Sequence, residues 1–585
     1  MAKHDNFRIN LYFIFVLAAA AVISYNLFIL TYIKHRSYSL TAEAQSQDVT
    51  NVLARGNIYL RNEKVVHPEE SLEYLAATNK KFPLAYLVPI EIDPQRSEEV
   101  ADKLNSVLAI DKIKIKEVID SRSSNSRVVA RKINNEQVES VKSLKTKGVG
   151  VVYETDRFYP GNQLGASVLG FLGYGSEGKS GQYGVESFYN EELFGKRWSS
   201  RKYFNGFGVV DFIAGIFKND DQKNNTGDDE KVDRPADLLL SIDKNIQQVA
   251  EDKLDLLMKK LEAAGGTVIV QDPNTGKILA MADRPTFNPN SYSEYEPRNF
   301  LNKGVQEVFE PGSSFKPITM AMGLDLGMIT PQTTFSDVGF RDVAEYRIKN
   351  FSERIFGTVT MSQVLEKSIN TGAMHVQDLV GDDNFLSYMI NFGFGQRTGV
   401  DLPGEVNGDI SNLYSGRKIN FLTASFGQGV AVTPIQLINA YSVIANGGKL
   451  MKPYVVEKII KEGGREKITE PEIVSIPISE KTAGKLKSML VSVVDNGFDK
   501  ARINGYDVAG KTGTAQIPDG KGGYLENEYI HDFVGFAPAF DAKFVILIKV
   551  DKPKGITFAA DSLSPTFKEI TQYLLNYYEI PPTRR

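Results

Sequence analysis

EPGSSFKPITMAMGLDLG, residues 310–327, is the most informative stretch of this chain of 585 residues. Ser313 and Lys316 stand three residues apart where the pattern predicts the start of a helix, so their side chains share one face. Pro317 is tolerated only near a helix start, which keeps Ser313 within about the first turn. Backbone N–H groups and the positive end of the helix are then close to Ser313. The stretch therefore favours a serine nucleophile with an amine in reach of its hydroxyl.

The Ser-x-x-Lys spacing is weak evidence when it stands alone. It also occurs at 199–202 and 241–244, about as often as chance supplies, and such a pair is usually solvated surface. Ser313 differs because two further motifs follow it in order. These are Ser-Ile-Asn at 368–370 and Lys-Thr-Gly-Thr at 511–514. Their order within one region sets Ser313 apart from the other Ser-x-x-Lys sequences.

The region 236–585 has the pattern of one mixed domain. Asp243 can cap a helix that follows it, and a last helix is expected near Pro565 to Tyr578. Strand-like stretches occur at 238–243, 267–272, 278–283, 506–517, 532–539 and 543–551. Strands at both ends with helices between them predict an α+β domain with a central antiparallel sheet covered by helices.

The composition excludes several classes of function. The chain has no cysteine, so disulfides, thiol nucleophiles and thiolate metal sites are absent. Its five histidines are scattered, and we expect no metal site and no cofactor. A net charge of -4 argues against a nucleic-acid partner.

The N-terminal region predicts a membrane anchor. Residues 11–33 form 23 consecutive residues without a charge, long enough to cross a bilayer. A cleaved signal peptide is the alternative, because Ala-Glu-Ala at 42–44 resembles a cleavage site, but the apolar core is too long for a signal. We expect a cytoplasmic tail at 1–10 and the rest of the chain outside the membrane.

Between the anchor and the C-terminal domain, the sequence predicts a mixed domain at 34–217 and a polar linker at 218–235. The apolar stretch 204–217 is too short to span a bilayer, so a packed element and a membrane-dipping hairpin both remain open. GYGSEGKS at 173–180 matches a phosphate-binding loop. A helix should open at its Lys-Ser, whereas further glycines follow, so we expect no nucleotide binding.

The order of the three motifs resembles the signature of penicillin-binding proteins and serine β-lactamases. The stretches 272–282, 392–405 and 426–448, together with the anchor, resemble class B, monofunctional penicillin-binding proteins. Upstream the similarity is thinner. Three stretches resemble pedestal-domain motifs of that family: Arg55–Ile58, Tyr159–Gly161 and Gly184–Glu186. In the first motif, however, Leu60 and Glu63 stand at positions where the family usually has Asp and Gly. The resemblance identifies 34–217 as an elongated pedestal of the dimerisation type and 236–585 as the transpeptidase domain.

The resemblance implies a peptidoglycan D,D-transpeptidase. Lys316 would activate Ser313, which attacks the penultimate D-alanine of a D-Ala-D-Ala stem peptide. An amine of a second stem peptide would then take the acyl group. To act as a base near neutral pH, Lys316 needs a pKa lowered by burial and a nearby cation, and Lys511 can be that cation. β-Lactams would be inhibitors.

The other roles follow from the same resemblance. Ser368, linked to the lysine at 511, would deliver a proton to the leaving amine, and Asn370 would bind the peptide backbone. The N–H groups of the nucleophile and of Thr514 would hold the oxyanion. By strand alternation Thr512 and Thr514 share a face, where both hydroxyls can hold the substrate carboxylate. Gly513 lacks a side chain, so a substrate backbone can approach the strand edge.

Other functions remain open at this point. Water could take the acyl group, as in a D,D-carboxypeptidase or a β-lactamase, although no Glu-x-x-Leu-Asn string follows Ser368. A penicillin-binding sensor or a division scaffold are further alternatives. Division-type relatives are favoured, with a septal role, and the expected partners are a membrane glycan polymerase and division proteins. His375 and His531 could activate a serine, but we expect both to be structural.

Overall fold

The computed structural model describes residues 55–64, 72–175, 178–194, 234–520 and 523–584. The predicted tail 1–10, the anchor 11–33, the stretch 204–217 and most of the linker 218–235 lie outside the described residues. Across the described ranges no helix combines the length and the apolar character needed to cross a membrane. These residues form two compact units, 79–156 and 55–78 with 157–584.

The smaller unit packs three helices against short strands. The helices are Ser97–Leu108, Lys112–Asp120 and Asn135–Ser143, and the strands are Arg127–Ala130, most of Val149–Phe158 and residues 79–87 of Glu73–Leu87. Side-chain caps fix two helix starts. Asp111 accepts a hydrogen bond from the N–H of Ile113, and Asn134 forms a capping box with Gln137. Leu104 and Ile119 lie in its separate apolar core.

The larger unit is built on a five-stranded antiparallel sheet, which confirms the predicted central sheet, although the strand predicted at 238–243 lies in a second sheet instead. In spatial order its strands are Ala509–Pro518, Tyr524–Ala537, Phe544–Asp551, Gly265–Gln271 and Ile278–Arg284. The strands predicted at 267–272 and 278–283 are present and pair with each other as an antiparallel hairpin. Ala509–Pro518 is an edge strand, so one side of it is open to a ligand.

Helices cover both faces of this sheet. One face carries Lys244–Leu261 and Ser564–Tyr577, and the other carries Lys316–Asp325, Pro434–Ala445 and Glu480–Ser492. Successive residues of one strand supply the two cores: Val268 belongs to the first and Ile269 to the second. As predicted, Asp243 caps the first helix by accepting from the N–H groups of Asn245 and Ile246.

A second sheet of the larger unit joins distant parts of the sequence. Ile58–Arg61 pairs in parallel with Asp237–Asp243, which pairs with Val456–Lys461, and Arg465–Ile468 completes that edge. Residues 73–77 pair with the other side of Ile58–Arg61. The strand at 456–461 was not expected from the sequence, and the partner that joins it to this sheet, Asp237–Asp243, lies more than 200 residues away in the chain.

The remaining elements of the larger unit are short. The strands are Phe171–Gly175, Gly178–Gln182, Thr334–Asp337, Phe340–Val343, Tyr346–Lys349, Gly357–Thr360, Leu450–Met451 and Ile473–Ser475. The α-helices are Ala166–Leu169, Gly184–Phe188, Asn190–Phe194, Lys303–Gln306, Met361–Glu366, Asn370–Val380, Asp382–Asn391, Lys418–Ala424 and Ala559–Ser562. The first two strands pair as a hairpin over 171–182, so no helix opens at Lys179 and the phosphate-loop match lacks its structural context.

Candidate active site

Ser313 lies in a tight turn immediately before a helix. The turn is the 3₁₀ segment Gly312–Phe315, and the α-helix Lys316–Asp325 continues from it. The helical segment predicted from the sequence is therefore present in two parts. Tyr441 fixes the turn from beneath, because its hydroxyl donates to Ser314 O at 2.7 Å. Ser313 remains partly exposed while the residues on both sides of it are buried.

Two glycines let another loop pack closely against this turn. The N–H of Gly312 donates to Gly427 O at 3.0 Å, and Gly312 has a φ of +56°. A Cβ on Gly427 would lie 2.2 Å from Gly312 O, which no side chain tolerates. The loop at 426–429 thus supports the position of Ser313.

Lys316 is fully buried, and its amine touches two serines. Its Nζ lies 3.0 Å from Ser313 Oγ, 3.1 Å from Ser368 Oγ and 2.6 Å from Ser368 O. A backbone oxygen can only accept, so one N–H of the amine points to it. An uncharged amine then keeps a lone pair with which to accept the proton of a serine hydroxyl.

The electrostatic surroundings favour that uncharged form. Burial lowers the pKa of Lys316 well below its ordinary value, and the positive charge of Lys511 lowers it further. Burial also lowers the pKa of Lys511, to about 8, against the attraction of Asp532. Of the two lysines, Lys511 is therefore the one that carries charge at neutral pH.

Ser368 faces Lys316 through an unusual backbone conformation. It links the helices Met361–Glu366 and Asn370–Val380 and has a φ of +56°. This left-handed conformation costs a non-glycine residue about 1 to 2 kcal/mol, so it marks a constrained position. Both the hydroxyl and the carbonyl of Ser368 reach the lysine amine. No pattern in the amino-acid sequence predicts the contact made by the carbonyl.

Lys511 makes a different contact from the one expected. Its Nζ donates to Thr512 O at 3.0 Å. Within the described ranges no hydrogen bond joins it to Ser368, whose hydroxyl lies next to Lys316 instead. Asn370 lies at the start of its helix, and its amide donates to Lys349 O at 3.1 Å.

The strand after Lys511 alternates as its sequence predicts. Thr512 and Thr514 are partly exposed, whereas Gly513 between them is buried. The hydroxyl of Thr514 also accepts from the N–H of Ala559 at 3.2 Å. A Cβ on Gly513 would lie 2.4 Å from Pro311 O, on the inner side of the strand. Glycine is therefore required at this position because the strand packs closely against neighbouring residues. The sequence had suggested a different reason, the approach of a substrate to the strand.

A single cleft of about 400 Å³ joins the three motifs. Every candidate residue except Lys316 and Gly513 lines it. They are Ser313, Ser368, Asn370, Lys511, Thr512 and Thr514. Lys316 lies just beneath its floor. The walls of the cleft carry aromatic and basic side chains that were not predicted from the sequence. They include Phe351, Arg354, Phe356, Phe498 and Phe558.

A buried carboxylate organises one of those walls. Asp337 accepts hydrogen bonds from Thr371 Oγ1 at 2.6 Å and from the N–H groups of Phe356 and Gly339. The side-chain amide of Asn350 also donates to both of its carboxylate oxygens. Burial raises the pKa of Asp337, but these hydrogen bonds outweigh burial and the pKa is lowered. The network ties the short strands at 334–360 to the helix that begins at residue 370.

The two histidines lie elsewhere. His375 stacks on Phe335 with ring centres 4.8 Å apart. His531 is buried, its Nδ1 lies 2.8 Å from Ser562 Oγ, and burial lowers its pKa to about 4. Neither ring is among the described residues that line the cleft.

The upstream motifs converge on a buried ion cluster in the same unit. Glu186 binds Arg55 Nε at 2.5 Å and Arg157 Nε at 2.7 Å, and the Tyr159 hydroxyl donates to it at 3.1 Å. Burial raises the pKa of Glu186, but the two guanidinium groups outweigh burial and the pKa is lowered. We name Arg55, Arg157 and Glu186 the arginine cluster.

Comparison with known proteins gives two family matches. Residues 266–572 match the penicillin-binding protein transpeptidase domain, and residues 51–211 match the penicillin-binding protein dimerisation domain. The first match covers more than half of the chain and contains the Ser313, Ser368 and Lys511 motifs.

Individual relatives agree with these matches. The stage V sporulation protein D of Bacillus subtilis is 32% identical over 518 residues, which cover 87% of this chain and 77% of the relative. The peptidoglycan D,D-transpeptidase FtsI of Buchnera aphidicola is 29% identical over 518 residues, 86% of each chain. A crystal structure of penicillin-binding protein 3 from Mycobacterium tuberculosis, in complex with aztreonam, is 26% identical with a TM-score of 0.63. It covers 74% of this chain and 93% of its own.

Proposed function

The chain belongs to the penicillin-binding protein family, and we propose that it cross-links peptidoglycan as a D,D-transpeptidase whose acyl-enzyme forms on Ser313. The observation that carries the proposal is the contact of 3.0 Å between the buried Lys316 amine and the Ser313 hydroxyl, in a cleft shared with the other two motifs. The family matches and the relatives named as transpeptidases support the same activity.

Acylation begins with proton transfer. The uncharged amine of Lys316 takes the proton of Ser313 Oγ, and the oxygen attacks the carbonyl of the penultimate D-alanine. The backbone N–H groups of Ser313 and Thr514 receive the developing oxyanion, each such donor typically contributing about 3 kcal/mol. The hydroxyls of Thr512 and Thr514 hold the terminal carboxylate of the substrate.

The leaving D-alanine must gain a proton as the C–N bond breaks. Ser368 Oγ lies 3.1 Å from the ammonium that Lys316 has become, so it can pass one proton to the amine and receive another from the lysine. Lys316 is then neutral again. In the second half-reaction it takes a proton from the acceptor amine, which attacks the acyl carbonyl. The bond to Ser313 Oγ breaks as the cross-link forms, and the lysine, 3.0 Å away, returns its proton to that oxygen.

We place this reaction outside the cytoplasmic membrane, in septal wall synthesis. Residues 11–33 would be the single membrane anchor, 34–217 the pedestal and 236–585 the catalytic domain, with a linker at 218–235. The lack of charge at 11–33 and the dimerisation-domain match at 51–211 support this arrangement. A membrane glycan polymerase and division proteins would be its partners. Digestion of intact spheroplasts with protease should remove the catalytic domain.

Labelling with a fluorescent penicillin tests the nucleophile. Ser313→Ala should abolish the covalent label, because Ser313 Oγ is the attacking oxygen in this mechanism and Ser368, the other serine beside the Lys316 amine, serves to pass on a proton. Ser241→Ala is the matched control: Ser241 belongs to another Ser-x-x-Lys sequence, but it is buried and donates to Ile278 O at 2.8 Å. It should label like the natural protein. A label that persists in Ser313→Ala contradicts the assignment.

A second assay separates transfer from hydrolysis. With a D-Ala-D-Ala stem peptide and a second stem peptide carrying a free amine, the cross-linked product should form, and Ser313→Ala should make none. Release of the fluorescent label within seconds, with only the shortened peptide formed, would indicate a hydrolase.

A further inference from the structure

Asp532 is a fully buried carboxylate on the inner side of the Lys511 strand. It lies in Tyr524–Ala537 and is in register with Gly513 on the neighbouring strand. Its Oδ2 fills the space that a side chain at Gly513 would need, 2.1 Å from the position of the Cβ. Neither oxygen of Asp532 has a hydrogen-bond partner among the described residues. Ser314 lies beside it but donates to Pro311 O at 2.8 Å.

An unpartnered buried carboxylate is expensive for the fold, so its presence calls for a function. The mechanism described above does not use it. The inference below depends on that mechanism, since it concerns the charges around Ser313.

Three ionisable side chains on the elements packed around Asp532 face its charge. Lys511 is two residues before Gly513 on the same face, Lys549 is in register with Asp532 on the next strand, and Tyr441 lies on a covering helix. Lys549 already has carboxylates of its own, because its amine binds Asp551 and lies 3.9 Å from Glu307. Lys511 instead donates to a backbone carbonyl. The charge of Asp532 therefore acts mainly on Lys511.

We propose that Asp532 is a positioning residue for acylation: its carboxylate keeps Lys511 in the ammonium form, and that charge keeps Lys316 uncharged beside Ser313. Asp532 touches no substrate. It acts through the two lysines, across one strand of the sheet.

The electrostatics give the pH range in which this arrangement works. Burial raises the pKa of Asp532 to about 7, against the effect of the neighbouring Ser314 hydroxyl and the attraction of Lys511 and Lys549. Burial lowers the pKa of Lys511 to about 8, against the attraction of Asp532. Between these values a carboxylate and an ammonium coexist, and each stabilises the charge of the other. Without Asp532, Lys511 would lose its proton at a lower pH, and its effect on Lys316 would be lost with it.

The test is the pH dependence of acylation by a fluorescent penicillin in Asp532→Asn, a nearly isosteric change. The decline of the rate at high pH should move to lower pH by about one unit or more, because a close opposite charge typically shifts a pKa by that much. At pH 8 the acylation rate should fall about tenfold, whereas at pH 6, where Lys511 keeps its proton, it should stay close to that of the natural protein.

Two further variants keep the test decisive. Asp532→Ser is smaller and also uncharged, so it should show the same displacement even if the asparagine amide disturbs packing. Asp283→Asn is the matched control, because Asp283 is a buried carboxylate with an unpartnered Oδ2 on the opposite edge of the same sheet. Its pH profile should be unchanged.

The outcomes are distinct. The inference is overturned if an Asp532 variant is acylated more slowly by the same factor at every pH and its rate declines at the same high pH as that of the natural protein. Asp532 would then have only a structural role. An Asp283 variant that shows the same displacement also overturns it. Failure of the natural protein to be labelled at Ser313 would instead refute the proposed function.

Discussion

The larger unit buries two cationic clusters and uses them differently. In the arginine cluster, Arg55 and Arg157 both bind Glu186, and every side chain is nearly inaccessible to solvent. In the second cluster, which we propose is catalytic, Lys316 and Lys511 are equally buried, but their hydrogen bonds go to hydroxyl and carbonyl oxygens. Arginine keeps its charge when buried, whereas a buried lysine can lose its proton, as we propose for Lys316. Burial therefore gives a permanent ion pair in one region and, in the proposed mechanism, a base in the other.

The counter-charge decides between these outcomes. Glu186 is hydrogen-bonded to both guanidinium groups, so removal of either partner leaves a buried charge without compensation. Among the residues that the structure describes, no carboxylate bonds to Lys316, and the charge that lowers its pKa is another cation, Lys511. Changes in the first cluster should thus affect stability, and changes in the second should affect the reaction.

The largest effect is expected from Lys316→Met. Without a base the acylation rate should fall by about 10² to 10⁴, the usual contribution of general base catalysis. The free energy of unfolding at pH 7 should stay equal or rise. Lys316 holds its proton in the unfolded chain but not in the folded protein, so its burial destabilises the fold at neutral pH, and that cost disappears as the pH approaches about 10.4.

Stopped-flow labelling with a fluorescent penicillin and urea denaturation measure both quantities for this variant. Acylation within tenfold of the natural rate, or a marked loss of stability, would mean that the lysine amine is a structural cation like the arginines.

The opposite pattern is expected from Glu186→Gln. It leaves two buried guanidinium groups facing a neutral amide, and breaking such a pair costs about 3 to 5 kcal/mol of stability. Acylation per folded molecule should be unchanged. Glu579→Gln is a suitable control, because Glu579 pairs with Lys64 at the surface, and its loss should hardly alter the denaturation curve. A denaturation curve for Glu186→Gln that overlays this control would remove the contrast between the clusters.

A smaller effect is expected from Thr371→Val. The Thr371 hydroxyl donates to Asp337 at 2.6 Å and holds the wall of the cleft against the helix that starts at Asn370. Its loss should misplace Asn370 and lower the rate of transfer to an amine acceptor by roughly tenfold, since small displacements at a site are costly. Thr371→Ser keeps the hydroxyl and should retain the natural rate. Equal losses in both variants would point to the methyl group rather than to the hydrogen bond.

Much of the catalytic domain could be predicted from its sequence. The strands at 532–539 and 543–551 contain apolar runs, and Asp243 supplies a helix cap, so local sequence patterns were enough to predict these elements. Alternation along one strand was enough to place Thr512 and Thr514 on one face. That the motifs around Ser313 and Ser368 meet in one cleft was expected from the resemblance to a family rather than from any local pattern.

The remainder depends on contacts between residues far apart in the chain. The pairing of Val456–Lys461 with Asp237–Asp243 and the network around Asp337 have no local signal, because each partner alone looks like ordinary surface or loop sequence. The link expected between Ser368 and Lys511 was replaced by a contact with Lys316, since the left-handed conformation of Ser368 turns its carbonyl toward that amine. A sequence motif indicates what the side chain of Ser368 can do, but it does not predict a contact made by the backbone carbonyl.

The central claim is that Lys316 is uncharged when Ser313 reacts. The most direct measurement is the second-order rate of acylation by a fluorescent penicillin between pH 5 and pH 11. Because the pKa of Lys316 lies well below the ordinary value of a lysine, the acylation rate should reach its maximum near neutral pH. It should decline above about pH 8, where Lys511 loses its proton. A rate that instead keeps rising beyond pH 10 would show that Lys316 is an ordinary ammonium and would contradict the account.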